Sequence, residues 1–240
     1  MSPRRWQWLG LVLGVVVFLL IWADQLLHGP LSGADQAVYD QVGAWQDHGL
    51  PVHAVGEVVS TPVSVPWAVA ITALTTIVWW VLRDRRMAAW AAGSGILAGA
   101  AIYGLKESIK RPLPPFAAGA WYKYSFPSGH TISAVANVGL LILLGAQVLV
   151  DRRGWSGAAA TRAWYWAVVA WSVEAVAMGI ARILTQRHWA SDVYASWGVG
   201  LALACGVLLV AKVPGPAHLH GSAKPEPLPK EQETTTESGP

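Results

Sequence analysis

Six apolar segments, each long enough to cross a bilayer as a helix, constrain this chain more than any other feature. A membrane-spanning helix needs about 20 mainly apolar residues. The segments lie at approximately 8–23, 63–82, 87–105, 131–150, 163–181 and 193–213. Only 13% of the 240 residues are charged, whereas a soluble domain has roughly 25%. The sequence therefore excludes an ordinary soluble globule and predicts an all-α polytopic membrane protein with six transmembrane helices.

Basic residues are distributed unevenly between the two sides of the predicted bundle. Eleven Lys and Arg residues lie on the side of the two termini, and six lie on the other. Because cytoplasmic loops carry the excess of Lys and Arg, this places both termini in the cytoplasm of a multi-pass cell-membrane protein. Arg4 and Arg5 before the first segment also suit a signal peptide, but no small-x-small cleavage site follows, so we expect an uncleaved anchor.

Two segments lie outside the six predicted spans. Residues 33–49 have apolar side chains at helical spacing, namely Ala34, Val38, Val42 and Trp45. This pattern is equally compatible with an amphipathic helix at the outer membrane interface and with an ordinary packed helix. Residues 214–240 are rich in Pro, Glu, Lys, Thr and Ser, which predicts a disordered cytoplasmic tail after a membrane domain at 1–213.

Three polar patches lie on the predicted outer side, at 106–115, 126–131 and 181–192. Loops that share one face of a bundle can meet at a single site. The patches contain residues suited to holding an anion: Lys106, Arg111, Ser128, Gly129 and Arg182. The amides at a helix N-terminus attract phosphate, and Lys or Arg adds charge-assisted hydrogen bonds. Together the patches predict a phosphate site.

The same patches contain an acid–base set. His188 and Asp192 are four residues apart and share a face if that segment is helical. A carboxylate bonded to one imidazole nitrogen leaves the other free as a nucleophile, and His130 can protonate a leaving group. Each patch alone has a simpler explanation, such as a helix cap or a lipid-headgroup anchor. Three patches on one side favour phosphoryl transfer.

These motifs resemble those of the type 2 phosphatidic acid phosphatase (PAP2) family, which are Lys-x6-Arg-Pro, Pro-Ser-Gly-His and Ser-Arg-x5-His-x3-Asp. The second is present as Pro127-Ser128-Gly129-His130. The third matches at Arg182, His188 and Asp192, with Ala181 in place of the leading serine. The resemblance covers the third to sixth predicted spans and implies a PAP2-like helical bundle.

The first motif departs from the family pattern. Six residues after Lys106 end at Pro112, so Leu113 occupies the position of the family arginine. One expected phosphate ligand is therefore missing, and a charged hydrogen bond contributes about 1.5–3 kcal/mol. Arg111 or Lys110 is the candidate partial substitute.

The resemblance also implies a role for each matching residue. His188 would attack phosphorus and form a phosphohistidine, Asp192 would orient it, and His130 would protonate the leaving group and then activate water. The residues implied to hold the phosphoryl oxygens are Lys106, Ser128, Gly129 and Arg182, with Arg111 in partial support. The resemblance implies no metal and no cofactor, and no carboxylate cluster for Mg²⁺ appears in these loops.

The expected function is that of a membrane lipid phosphatase acting on a polyprenyl pyrophosphate or a phosphatidic-acid-like lipid at the extracytoplasmic face. Its expected partners are the bilayer and this lipid, with no role for nucleic acid. The alternatives are a weakly active lipid-phosphate-binding relative, a lipid phosphotransferase and a small transporter. Glu174 lies inside the fifth span, about 12 Å along the helix from Arg182, and is expected to face the protein interior.

Overall fold

Long apolar runs fold into helices throughout the part of the chain described by this computed structural model, which covers residues 5–63, 65–118, 120 and 122–211. These residues form nine α-helices and no β-strand. The helices are α1 (Arg5–Leu27), α2 (Leu31–Asp47), α3 (Val52–Ser60), α4 (Val65–Val81), α5 (Arg85–Ile109), α6 (Gly129–Ser133), α7 (Gly139–Arg153), α8 (Gly157–Leu184) and α9 (Ala190–Val210).

Within the described residues, five helical stretches are long and apolar enough to span a membrane. They are α1, α5, the continuous helix Gly129–Arg153, α8 and α9. The continuous helix joins α6 to α7 through a π-helical turn at Ala134–Val138. The apolar helix α4 has 17 residues, which is short for a span. The all-helical membrane fold is thus confirmed, whereas the count of six spans stays a prediction. The predicted tail at 214–240 lies outside the described residues.

The ends of the helices determine where the polar patches begin. The Asp84 carboxylate caps α5 by accepting a hydrogen bond from the amide of Met87 at 3.0 Å. At the other end, Lys110 adopts a left-handed conformation with φ of 52°, which terminates α5. The chain then turns out of the helix at Arg111 and Pro112. The first polar patch is therefore divided between the last turn of α5 and the loop that follows.

Helix α9 is the central element of the bundle. It contacts α1, α2, α5, α6 and α8, and nearly all of its N-terminal half is buried. Glycines allow α1 to approach it closely, with Gly14 of α1 facing Gly198 of α9. A hydrophobic core cluster joins α7 and α8 to the C-terminal half of α9 through side chains that include Leu143, Trp164 and Leu208. The residues at the start of α9 are therefore anchored on several sides.

Helix α2 confirms the helix expected within residues 33–49 and ends at Asp47. In the predicted apolar stripe, Val42 is buried, whereas Ala34 and Trp45 are exposed. Asp35 is buried as well because it bonds partners on other elements. The choice between an interfacial helix and a packed helix stays a prediction. The short helix α3 lies in a connection that the sequence pattern left unassigned.

Candidate active site

The three polar patches meet at one end of the bundle. Lys106 lies in the last turn of α5, Ser128 caps α6, and Arg182 lies in the last turn of α8. The loop from α8 to α9 contains His188, and Asp192 lies in the first turn of α9. Hydrogen bonds and close charges connect all three patches, so the predicted convergence is observed.

His188 and Asp192 form a buried pair. Nδ1 of His188 lies 3.5 Å from Oδ2 of Asp192, but it makes no hydrogen bond within the described residues. Oδ2 of Asp192 accepts a hydrogen bond from the amide of Trp189 at 3.0 Å, which caps α9. Burial, together with the positive charges of Arg182 and Lys106, lowers the pKa of His188 well below its usual value. The imidazole is therefore neutral near pH 7, the form that acts as a nucleophile.

Arg111 is bound by two carboxylates. Its Nη1 donates to Oδ1 of Asp192 at 2.6 Å and to Oγ of Ser191 at 2.7 Å. Its Nη2 donates to Oδ2 of Asp35 at 2.6 Å. The guanidinium plane also lies 5.5 Å from the ring of Trp189. The sequence pattern assigned Arg111 to the phosphate, but here the guanidinium donates to protein groups on both sides.

Asp35 is a site residue that sequence reasoning missed. Its carboxylate is 3% exposed and accepts from the Ser191 amide at 2.8 Å and the Ser191 hydroxyl at 2.5 Å, besides Arg111. It was assigned to the polar face of an amphipathic helix. The sequence contains only a weak signal for a buried role of Asp35. It is an acidic residue between apolar positions, in a stretch that contains no Lys or Arg.

Lys106 is held against the loop before α6. Its Nζ donates to the carbonyl oxygens of Tyr124 at 2.6 Å and Ser125 at 3.1 Å. It also lies 5.3 Å from the centre of the Tyr122 ring. The ammonium is thus placed near His188 and helps to lower the pKa of that imidazole.

Tyr122 is a second residue that the sequence pattern did not single out. Its ring is parallel to the imidazole of His188, with centroids 5.9 Å apart and an interplanar angle of 6°. Its hydroxyl also interacts with Arg182. Tyr122 therefore contacts the cations Lys106 and Arg182 as well as His188. In the sequence, aromatic residues near span ends are common, so nothing distinguished this one.

The Pro-Ser-Gly-His loop is fastened to α9. The Ser128 amide donates to Oγ of Ser196 at 2.7 Å, and the Ser196 hydroxyl donates to the carbonyl of Asp192 at 2.5 Å. The Ser128 hydroxyl accepts from Thr131 at 3.1 Å. The Ser128 amide is therefore already hydrogen-bonded to a protein group. His130 is half-buried, and the charges of Arg182, His188 and Lys106 all act on it.

The two arginines of the third patch have different environments. Arg182 is buried, and its Nη1 donates a long hydrogen bond to Oγ of Ser60 at 3.4 Å. Its Nε has no hydrogen-bond partner among the described residues, which leaves a donor for a ligand. Arg187 instead pairs with Glu57 of α3 at 2.9 Å and is partly exposed. Arg182 is thus the cation of this patch that faces the site.

The described residues contain no cluster of three or more His, Cys, Asp or Glu side chains that suits a metal ion. The site is instead rich in cations and amides. Glu174 of α8 lies away from this cluster; both its carboxylate oxygens are buried and have no hydrogen-bond partner within the described part of the chain. Leu113, at the position of the missing family arginine, is half-buried.

The fold and the site define a class: an all-helical, multi-pass membrane protein with a buried histidine–aspartate pair in a cluster of basic side chains. The sequence model of the PAP2 superfamily matches residues 87–214, which is just over half of the chain. The protein therefore belongs to the PAP2 superfamily, and the resemblance stated from its motifs is confirmed. No curated protein sequence matches the chain.

One solved structure agrees with this fold. It is the crystal structure of the first transmembrane PAP2 type phosphatidylglycerolphosphate phosphatase from Bacillus subtilis. The similarity has a TM-score of 0.66 at 19% sequence identity and covers 83% of this chain and 96% of the other. At this level of identity, the likeness concerns the arrangement of the helices.

Proposed function

We propose that this protein is an integral membrane phosphatase that hydrolyses a lipid phosphate or pyrophosphate through a phosphohistidine intermediate. The observation that carries the proposal is the buried pair of His188 and Asp192, with Lys106 and Arg182 beside it. A neutral imidazole, an orienting carboxylate and two cations together suit attack on a phosphorus atom. Membership in the PAP2 superfamily supports the same reaction.

The reaction has two steps. Nε2 of His188 attacks phosphorus, a P–N bond forms, and the bond from phosphorus to the leaving oxygen breaks. The leaving oxygen takes its proton from His130 in its imidazolium form, which the negative charge of the bound phosphate stabilises, and His130 becomes neutral. His130 then removes a proton from water, the hydroxyl attacks phosphorus, and cleavage of the P–N bond releases inorganic phosphate and regenerates neutral His188. Lys106 and Arg182 stabilise the charge on the phosphoryl oxygens during both steps.

Asp192 stabilises the positive imidazole that forms during attack. The present distance of 3.5 Å between Nδ1 and Oδ2 is longer than a hydrogen bond, and such contacts commonly tighten when substrate binds. The carboxylate is already held by Arg111 and by the amide of Trp189, so small movements of the imidazole are sufficient. Ser128 and the Gly129 amide complete the proposed phosphate contacts.

The proposed substrate is a lipid because the site lies at the ends of the membrane-spanning helices. We place it at the extracytoplasmic face, with both termini in the cytoplasm, because of the distribution of basic residues. A polyprenyl pyrophosphate is the first candidate. Phosphatidic acid and phosphatidylglycerolphosphate are the others, the last because the similar solved structure is that of a phosphatidylglycerolphosphate phosphatase.

Phosphate release by purified protein in detergent tests the proposal. The substrate panel contains a prenyl pyrophosphate, phosphatidic acid and phosphatidylglycerolphosphate. We expect His188→Ala to abolish release and to remove an acid-labile phosphoryl group that is trapped on the wild-type protein after rapid quenching. His48→Ala is the matched control because His48 is exposed and directly follows α2, outside the site. Equal release by wild type and His188→Ala would eliminate this mechanism.

Leu113 supports a second candidate, a weakly active relative that binds lipid phosphate. Lys106 and Arg182 are the proposed phosphate-binding cations, since Arg111 is bound by two carboxylates. Binding of a lipid phosphate without turnover, unchanged in His188→Ala, would favour this candidate. Transfer of the phosphoryl group to an added alcohol instead of water would identify a phosphotransferase.

A further inference from the structure

We propose that Asp35 and Arg111 are positioning residues, which set the charge and orientation of Asp192 and, through it, of the nucleophile His188. This inference rests on the proposed function and adds helix α2 to the machinery of the site. The two residues form a buried relay from α2 to the start of α9. Neither lies in the Pro-Ser-Gly-His motif or in the third motif.

The Asp35 side chain holds the start of α9 through hydrogen bonds to Ser191. Its two oxygens accept from the amide and hydroxyl of Ser191 and from Nη2 of Arg111. Ser191 is the residue directly before Asp192. The backbone that carries Asp192 is therefore held at its preceding residue by a side chain from a helix 156 positions away in the sequence.

Arg111 connects the two carboxylates. Its Nη1 contacts Oδ1 of Asp192, and its Nη2 contacts Oδ2 of Asp35, both at 2.6 Å. With Oδ1 occupied by Arg111, the Asp192 carboxylate presents Oδ2 to Nδ1 of His188. The guanidinium is planar and rigid, so its two ends fix the distance between the carboxylates and the plane of the Asp192 carboxylate.

Arg111 is the positive charge that pairs directly with both carboxylates of this relay. Charged groups of several elements surround the pair of His188 and Asp192: Lys106 on α5 and Arg111 after α5 act on Asp192, Arg182 on α8 acts on His188, and Asp35 on α2 pairs with Arg111. Without Arg111, two buried carboxylates would face each other. One of them then takes up a proton, because neighbouring like charges in a buried site do not both stay ionised. A protonated Asp192 no longer stabilises a positive His188.

A charge-restoring double variant distinguishes this role from simple packing. Wild type, Arg111→Gln, Asp35→Asn and the Asp35→Asn/Arg111→Gln double variant are compared for kcat, KM and the pH dependence of kcat/KM. We expect Arg111→Gln to lower kcat by about 100-fold and Asp35→Asn by about 10-fold, with KM nearly unchanged. In Arg111→Gln, the acid limb of the pH profile should move to higher pH.

The double variant removes one negative and one positive charge together. We expect its acid limb to return toward that of wild type and its kcat to exceed that of Arg111→Gln by about 10-fold. Loss of packing alone would make the double variant worse than either single variant, without any return of the pH profile. Asp40→Asn is the matched control, since Asp40 is exposed on the same helix and bonds only Gln36 in the described structure.

The outcomes distinguish failure of the proposed phosphatase function from failure of the positioning role of Asp35 and Arg111. If wild type releases no phosphate from any lipid of the panel and forms no phosphohistidine, the proposed function fails. If wild type is active but Asp35→Asn and Arg111→Gln keep its kcat and pH profile, the positioning role is refuted. If Arg111→Gln does not fold, Arg111→Lys replaces it: a retained acid limb with lowered kcat supports the relay, and wild-type kcat overturns it.

Discussion

The close approach of α1 and α9 gives a sharp test of the membrane bundle. A methyl group added at Gly14 would lie 2.4 Å from the carbonyl oxygen of Gly198 and 2.7 Å from the amide nitrogen of Ala202. Both are backbone atoms and cannot rotate aside. Since non-bonded atoms pack at about 3.5–4.0 Å, Gly14→Ala must push α1 away from α9 by roughly 1 Å. We expect this to destabilise the bundle.

The magnitude follows from two opposing effects. Forcing a methyl group into a close-packed contact costs about 1–3 kcal/mol, whereas replacing a helical glycine by alanine gains up to about 1 kcal/mol. Gly145→Ala on α7 is the matched control because a methyl group there meets nothing within 4 Å. Gly14→Ala and Gly145→Ala both gain the higher helix propensity of alanine. The free energies of unfolding of the two variants should therefore differ by about 1–3 kcal/mol.

Thermal unfolding in a single detergent measures this difference. At about 2–4 °C per kcal/mol for a chain of this size, Gly14→Ala should unfold roughly 2–12 °C below Gly145→Ala. Gly198→Ala should behave like Gly14→Ala, because its methyl group would lie 2.7 Å from the Gly14 carbonyl oxygen. If Gly14→Ala unfolds at or above the temperature of the control, α1 does not approach α9 as closely as described.

Three further results are expected. Leu113→Arg should raise kcat/KM for a lipid phosphate by about 10- to 100-fold, because a charged hydrogen bond contributes about 1.5–3 kcal/mol; complete loss of activity in a folded variant would show that the site is adapted to leucine. Tyr122→Ala should lower kcat more than Tyr122→Phe, since only the alanine variant loses the ring that stacks on His188; equal rates would contradict a role for the ring. Because the pKa of His188 is lowered in the folded protein, the unfolded chain binds more protons below about pH 6.5. Stability should therefore fall as pH decreases, and His188→Gln should flatten this decrease in melting temperature between pH 7 and 5, whereas a parallel curve would refute the effect.

The parts of the molecule that depend on local sequence were predictable. Apolar runs indicate membrane helices because each residue of a span meets hydrocarbon or another helix. The spacing of four residues predicted that His188 and Asp192 lie together. They do so in the structure, with His188 in the loop before α9 and Asp192 in its first turn. The motif loops then converge because they occupy the same ends of their helices. Each of these inferences depends only on residues that are close in sequence and on the apolar core of the bilayer.

The partners of Asp35 and Arg111 were not predictable in this way. Asp35 bonds Arg111 and Ser191, which are 76 and 156 positions away, and no periodicity of α2 encodes either contact. The helical pattern therefore assigned Asp35 to a solvated face. Arg111 was matched to phosphate because its charge suits phosphate, but a guanidinium binds a carboxylate equally well. Only the tertiary structure distinguishes the two partners.

The carboxylate partners of Arg111 change the interpretation of Leu113. Because Arg111 is held by Asp35 and Asp192, it cannot replace the missing family arginine without leaving two carboxylates unpaired in a buried site. The proposed phosphate charge then rests on Lys106 and Arg182. Two cations balance a monoester dianion more closely than they balance a pyrophosphate, which carries additional negative charge. We therefore predict that wild type hydrolyses a lipid monophosphate faster than the pyrophosphate that family resemblance places first. Leu113→Arg should raise the rate on the pyrophosphate more than the rate on the monophosphate, and equal increases on the two substrates would contradict this charge argument.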